Sequence, residues 1–479
     1  MSSPAPLYVH ELPQDLEWIN SEPIALASLR GRVTLLSFWT GSSVYCQHQH
    51  ADLRTLESKF SDGLAVLWVH TPKHQYEAES ANVLKCINRW FVRHPVINDR
   101  QWRLWRLFGV PAWPTCVLLD AEGKVSGIFV GERQLPVLEK RIAELLEDAQ
   151  TRGLRSHEPA PFGAKPELRG ALQFPSKLAA TATRLYIADT GHNRVLECSF
   201  EGQVTRIFGS GNAGFWDGKA SEAGMREPTG LAIGKEQLFI CDTGNNAIRR
   251  IRLLANDQLD TIAGTGRYGH SAPEAGASRA LDLASPADCA YFQDKLYVSF
   301  SGNHQVWAFD LLRNTAARIS GSGQDGIADG ALTAASYSQP QGISLGRDAL
   351  YVMDTGNAAL RCIKLADATV TTLIGEGPFE SGDSDGSASF ARLQQPQGLV
   401  YDAQRNVVWI ADSYNNKIKV YSPAKSEVKS LNLNYKLHEP NGLAIADGAV
   451  WIANQNAHEL LRLDLKTGKL TRVPVAEGI

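Results

Sequence analysis

Apolar and polar positions along the chain follow two different rhythms. Up to about residue 150, near-continuous apolar runs alternate with stripes of helical period. VTLLSFW (33–39) and LAVLWVH (64–70) have strand length and the unbroken apolar character of strands covered on both faces. Between them, residues 46–60 read as a helix, and Leu138, Ile142, Leu145 and Leu146 put one apolar stripe on a second. This alternation predicts an α/β layer over residues 1–150. Residues 151–170, TRGLRSHEPAPFGAKPELRG, carry three prolines, three glycines and little apolar pattern, as a linker does.

From residue 171 to 479 the rhythm becomes that of short strands, and it repeats. LYIADTGHNRV, LFICDTGNNAI, LYVSFSGNHQV, LYVMDTGNAAL, VWIADSYNNKI and VWIANQNAHEL are six versions of a strand, a polar turn and a second strand. Asp189, Asp242, Phe300, Asp354, Asp412 and Asn454 mark the turn, at spacings of 53, 58, 54, 58 and 42 residues. Each interval holds a four-stranded blade plus a loop, and six blades closed in a ring leave no long sheet edge open. A six-bladed β-propeller is therefore expected. Asp, Gly and Asn suit the repeated turn on structural grounds alone, since Asp accepts backbone N–H bonds and Gly and Asn tolerate positive φ.

A second repeat precedes the blades: GSGNAGFWDGKASEAGMREPTG, GSGQDGIADGALTAASYSQPQG, GEGPFESGDSDGSASFARLQQPQG and a degenerate GTGRYGHSAPEAGASRALDLASPAD. Loops of this length are uncommon without a role. In a blade whose strands reverse direction in turn, the second-to-third-strand turn and the loop to the next blade emerge on one face, the expected docking surface. Inside each P-x-G step of that face stand Ser176, Thr229, Ala287, Gln341, Gln397 and Asn441. This polar, uncharged ring suits hydrogen bonding to a protein or peptide, and it lacks the converging His, Asp or Glu of a catalytic metal site.

Forty-eight basic residues against 51 acidic ones leave no basic block for a phosphate backbone, so no nucleic-acid partner is expected. No stretch approaches 18 apolar residues and the N-terminus lacks a charged start followed by an apolar core, so no membrane partner and a cytoplasmic location are expected. Seven cysteines lie scattered, mostly in apolar runs, which suits buried, reduced thiols.

The candidate chemistry lies in FWTGSSVYCQHQH, residues 38–50, where a strand exits through Phe-Trp toward a helix that Cys46 enters. A dithiol site needs an attacking thiol at the helix N-terminus and a resolving thiol three residues on. Ser43 holds the attacking position, where a hydroxyl forms no sulfur adduct, and caps the helix instead. Remaining routes are Cys46 as a monothiol, Cys116 as its partner, or metal held by Cys46 and His50 with His48 pointing away. Neither Ser42 nor Ser43 lies in a hydrolase elbow. Trp102, Trp105 and Trp113 offer an aromatic roof for a peptide groove, core packing being the competing use. No cofactor or metal is expected.

FWTGSSVYCQH, VHTPKH, HPVIND and AWPTCVLLDAEGKV, followed by six P-x-G and D-x-x-N repeats, resemble the family of NHL-repeat-containing protein 2 over nearly the whole chain. The resemblance implies a thioredoxin-like fold with a presumed redox motif, a propeller for protein interaction, and Pro114 as the cis-proline facing the active-site loop. That family's motif commonly reads Cys-Cys-x-x-Cys. Its two leading cysteines fall on Ser42 and Ser43 here, leaving Cys46. An interaction protein is the expectation, with Trp39, Cys46, Trp113 and Pro114 as a second surface; a Cys46 oxidoreductase or peroxidase-like enzyme is the alternative.

Overall fold

A computed structural model describes residues 11–157, 163, 170–254, 257–269 and 274–477. The chain divides into two compact units, Met1–Glu167 and Leu168–Ile479. Among the described residues no helix is long and apolar enough to cross a membrane.

The first unit is one mixed sheet covered on both faces. Its strands are β1 (Glu17–Trp18), β2 (Val33–Trp39), β3 (Leu64–His70), β4 (Val96–Asn98), β5 (Thr115–Leu119) and β6 (Val125–Val130), in the order β1-β4-β3-β2-β5-β6. The expected apolar runs are the two central strands, paired in parallel, and β5 and β6 add antiparallel. Side-chain alternation divides the core. Val33, Leu35 and Trp39 of β2, with Leu64, Val66 and Trp68 of β3, meet the helices α1 (Val44–Lys59), α2 (Ser80–Arg89) and α4 (Leu135–Thr151). Leu36, Phe38, Leu67 and Val69 face the opposite way, against Leu26, Leu29 and the short helix α3 (Arg103–Leu107). This is a thioredoxin-like fold. Leu154 and Ser156 still hydrogen-bond back to Ala149 and Gly31, so the segment read as a linker begins attached to this unit. Most of that segment, 158–162 and 164–169, lies outside the described residues.

The second unit is a six-bladed β-propeller, each blade having four antiparallel strands of its own. Blades 1 and 6 pack side by side through Leu178, Ile187, Ala444 and Trp451, closing the ring. KLTRVPV supplies the outer strand of blade 6 (Leu470–Val473), and Ala476–Glu477 then pairs in parallel with Gln203–Val204 of blade 1. GALQF adds no strand, although Leu172 packs between the two blades.

The repeats have a shared physical origin in the contacts between neighbouring blades. The hydroxyl of the D-T-G turn in one blade donates to the P-x-G proline carbonyl of the next: Thr190 to Pro228, Thr243 to Pro286, Thr355 to Pro396 and Ser413 to Pro440, each at 2.7 Å. The P-x-G glycine is bare because first strands crowd together at the channel. A Cβ on Gly398 would stand 1.7 Å from the Asn441 carbonyl oxygen, and one on Gly442 2.1 Å from that of Ser176.

In five of the six blades the last residue of the turn forms a second latch. Asn193, Asn246, His304, Asn416 and His458 are left-handed and accept the backbone N–H of Glu227, Ser285, Gln339, Glu439 and Phe174, the left-handed residues preceding the next blade's proline. The His458 bond at 3.0 Å joins blade 6 to blade 1. In blade 4 the position is Ala358, at φ 51°, with no side-chain acceptor. Ala358→Asn is expected to stabilise the propeller by about 0.5–1 kcal/mol, because Asn tolerates the left-handed region better and brings the acceptor used elsewhere. A higher thermal midpoint checks this; an unchanged or lower one contradicts it.

The long loops are strapped to the blades. Asp354 accepts Ser338 N at 2.7 Å, Asn357 Nδ2 at 2.9 Å and Arg361 Nη1 at 2.8 Å, and Arg361 Nη2 reaches Asp329 of the loop at 2.9 Å. Asp329 also accepts from Thr372, and the next residues, Gly330–Ala331, pair as a fifth strand on the blade's outer edge. Blade 2 repeats this with Asp242, Asn245, Arg249 and Asp217, and blade 5 with Asp412, Asn415, Lys419 and Asp385. Phe300 and Trp307 replace the Asp and Arg in blade 3, with rings 6.2 Å apart. These loops carry architecture before anything else.

Candidate functional site

The exit of β2 places the motif at the edge of the sheet, and α1 begins at Val44. Ser43 is its N-cap: the Ser43 hydroxyl accepts Cys46 N at 3.4 Å, as the capping preference of serine predicts. Ser43 is half-buried, whereas Cys46 is 1% exposed and packs in the core against Trp39, Leu53 and Cys116. The attacking position is thus the open one and holds no sulfur; the thiol that remains is enclosed.

Electrostatics reinforce the enclosure. Burial pushes the Cys46 thiol up to about 12, against hydrogen bonds from the Thr40 amide and Ser43, and the carboxylates of Glu77 and Glu132 push the same way. Cys116 is likewise pushed up to about 12, by burial first and then by Asp52 and Cys46. The two thiols share one core cluster and both are free.

Glu77 organises the loop behind the motif, and sequence reasoning passed over it. It is 4% exposed and accepts from Thr40 Oγ1 at 2.7 Å, Lys73 N at 2.9 Å and His74 N at 3.1 Å. Burial alone would raise its pKa, but His74, His70 and these donors outweigh it and keep the carboxylate charged. Its signal was its place three residues after His74, as in a capping box. Asp52 was passed over as well: it is half-buried, and burial followed by Glu132 raises its pKa.

The two histidines of the motif each have a partner within this unit. His48 Nδ1 meets Glu132 at 2.7 Å, while His50 Nε2 donates to the Trp90 carbonyl at 2.8 Å. Among the described residues no group of three or more His, Cys, Asp or Glu is placed to hold a metal ion. Burial, with His94 and Arg54 nearby, depresses His50 to about 3. It therefore stays neutral when folded and titrates near 6.5 when unfolded, so its contribution is present above pH 6.5 and lost as pH falls toward 3. Between pH 7 and pH 5, wild type is expected to lose about 2 kcal/mol more stability than His50→Gln. Denaturant titrations of both proteins at the two pH values check this, and parallel losses contradict it.

Trp39 corrects an expectation. At 1% exposure it packs within the core in tilted contact with Trp68 and Trp90 and edge-on to His70, because its position on β2 points to the helical face, so it offers a partner no surface. Trp113 is half-buried and forms a three-ring cluster with Trp102 and Trp105, centroids 4.6 to 5.2 Å apart. The Trp113–Pro114 peptide is cis, and Pro114 leads directly into β5 beside β2. Cluster and motif thus border the same end of the sheet.

In the propeller ring, Ser176 and Thr229 bond to the turn hydroxyls of Thr190 and Thr243 and to the Thr229 and Ala287 carbonyls. Asn441 Nδ2 donates to Gln397 Oε1 at 2.6 Å and its oxygen accepts Lys177 Nζ at 2.6 Å. Much of the ring's polar capacity is thereby used between blades; Gln341 is half-buried. Two charged residues joined the ring unread. Lys177 is 5% exposed, with its pKa lowered to about 8 by burial and supported by Asp288, which is 6% exposed and raised to about 6 by burial. Each takes the place of the glycine in its P-x-G step, the only signal they gave.

The Redoxin family pattern matches residues 19–145 and the NHL repeat pattern residues 393–421. NHL repeat-containing protein 2 of Gallus gallus is 33% identical across 98% of this chain and 72% of its own length. Protein SUPPRESSOR OF QUENCHING 1, chloroplastic, of Arabidopsis thaliana is 31% identical across 98% of this chain and 48% of its own. The first unit alone is similar to the thiol-disulfide oxidoreductase YkuV of Bacillus subtilis, at 22% identity over 29% of this chain and 95% of that protein. With both folds in the same order, and identity at this level along nearly all of its length, the chain belongs to the NHL repeat-containing protein 2 family.

Proposed function

We propose that this chain is a binding protein in which the thioredoxin-like unit holds an extended peptide without exchanging disulfides and the propeller serves as an interaction scaffold. The observation that carries the reading is the inversion at the motif: a half-buried serine where the attacking thiol belongs, and an enclosed Cys46 pushed up to about 12. Trp113 and Pro114 keep the rim of a peptide groove next to it. Seven free, buried cysteines accord with a reducing compartment such as the cytoplasm.

The similarity to thiol-disulfide oxidoreductases favours the alternative, a Cys46 monothiol enzyme, and a single pair of assays separates the two. Insulin reduction driven by dithiothreitol is expected to run no faster with the protein than without it. Carboxymethylated insulin B chain, which has no thiol to exchange, is expected to quench tryptophan fluorescence in wild type and less so in Trp113→Ala. Catalysed insulin reduction would sink the reading, and so would the absence of any peptide-dependent quenching.

A further inference from the structure

The long loops show what fits against their own blades. The loop entering blade 2 runs Phe215-Trp216-Asp217 and the loop entering blade 4 runs Ile327-Ala328-Asp329, each followed by a glycine. The glycine before the apolar residue accepts a side-chain amide on its carbonyl, from Asn245 at Gly214 and from Asn357 at Gly326. The aspartate accepts the guanidinium of Arg249 or Arg361 at 2.9 Å. The apolar residue lies over the second glycine of the loop that leaves the same blade: a Cβ on Gly266 would stand 2.6 Å from the Phe215 ring, and one on Gly377 4.0 Å from Ile327.

Blade 1 has the receiving half of this arrangement. Its second glycine is Gly211, where a Cβ would meet, among the described residues, only the His192 carbonyl oxygen, at 3.6 Å. His192 stands where blade 2 has Asn245, three residues after the buried Asp189, and holds that carboxylate at 2.8 Å as Asn245 holds Asp242 at 2.9 Å. Leu196 takes the place of Arg249, and the guanidinium comes two residues earlier, from Arg194, held on Asp189 at 2.8 Å. Arg194 Nη2 also reaches Glu477, whose strand pairs with Val204 as the loop residue Gly218 pairs with Leu259 in blade 2. Between these groups lies an open cleft of about 520 Å³, lined by His192, Arg194, Gly211, Ser221 and Glu477. The segment ahead of blade 1 does not carry the loop pattern, since residues 149–188 contain no aspartate.

We propose that the cleft of blade 1 binds a segment of a partner protein with the pattern apolar-x-Asp-Gly, seating the apolar side chain on Gly211 and the carboxylate on Arg194, in competition with Glu477. The inference rests on the reading of the propeller as an interaction scaffold and gives that scaffold a position and a ligand class. The guanidinium supplies a directed, charge-assisted bond to the carboxylate, and the bare glycine leaves room for a ring or a branched side chain. Blades 2 and 4 make the same two contacts within the chain, so the fold itself displays the ligand that the cleft of blade 1 would take.

The test uses the full chain and a fluorescein-labelled peptide copying residues 213–219, AGFWDGK, followed by fluorescence anisotropy. Saturable binding is expected, and it should weaken about tenfold or more when the peptide carries Asp217→Asn or Phe215→Ala. In the protein, Ser221→Trp fills the cleft from an exposed position whose hydroxyl bonds to none of the described residues, and is expected to abolish binding while the melting midpoint stays unchanged. Glu477→Gln removes the competing carboxylate and should tighten binding about threefold. No saturable binding, or binding that is indifferent to Ser221→Trp, would overturn the inference. Binding that falls in Trp113→Ala instead would place the peptide on the thioredoxin-like unit, which overturns this inference and leaves the function proposed above standing.

Discussion

Replacing Arg361 by Met is expected to cost the propeller about 3–5 kcal/mol, enough to lower its melting midpoint sharply. Arg361 and Asp354 are both 0% exposed and meet at 2.8 Å. Burial already pushes Asp354 up to about 6 even with the guanidinium in place. Without it, the carboxylate is a buried charge held only by Asn357 and the Ser338 amide, and the Asp329 strap of the loop loses its anchor. The pH dependence has a definite sign. Wild-type Asp354 is already raised to about 6 and loss of the guanidinium raises it further, so the variant's deficit should shrink as pH falls from above 7 toward 6 and level off below that, where both folded proteins hold the proton. The double variant Asp354→Phe, Arg361→Trp copies the apolar pair of blade 3 and is expected to recover most of the loss, since replacing a buried ion pair with well-packed apolar groups is often neutral. A double variant no better than Arg361→Met would show that the pair does more than fill its site.

The larger effect on chemistry is expected from Ser43→Cys. It adds one sulfur at a half-buried helix N-cap, where the dipole and the free amides of the first turn stabilise a thiolate, three residues before an enclosed thiol already placed to resolve. Reduction of insulin should rise by about tenfold or more over wild type, and the variant should show a disulfide between the introduced sulfur and Cys46 that dithiothreitol opens. Ser42→Cys, one residue farther out and off the cap, should gain little. Equal, negligible activity in Ser43→Cys and wild type would mean that the fold has lost more than a sulfur atom.

What the sequence made legible follows from what period and local chemistry encode. The apolar runs of β2 and β3, the stripe of α4 and the six D-x-x-N turns are short-range signals, and each became the element expected. Ser43 as a cap was legible for the same reason, because capping involves residues three apart. The strap residues were harder: Arg249, Arg361 and Lys419 each stand seven residues after the buried Asp, but their loop partners Asp217, Asp329 and Asp385 are about thirty residues earlier in the chain. No local rule joins them. Trp39 was misread because a strand's alternation decides which face a side chain meets, and the register needed to choose that face comes from pairing with β3. Lys177 and Asp288 went unread for a similar reason, since only closure of the ring brings blades 1 and 3 to a common channel.

The most direct test of a redox-inert motif is alkylation of the native protein with iodoacetamide across pH 5 to 9, with each modified cysteine located by mass spectrometry. Cys46 is expected to stay unlabelled throughout that range and to react only when the protein is unfolded, because its thiol is enclosed and pushed up to about 12. Rapid labelling of Cys46 in the folded protein, with a midpoint well below the free-thiol value of about 8.5, would contradict the account and make Cys46 an activated monothiol.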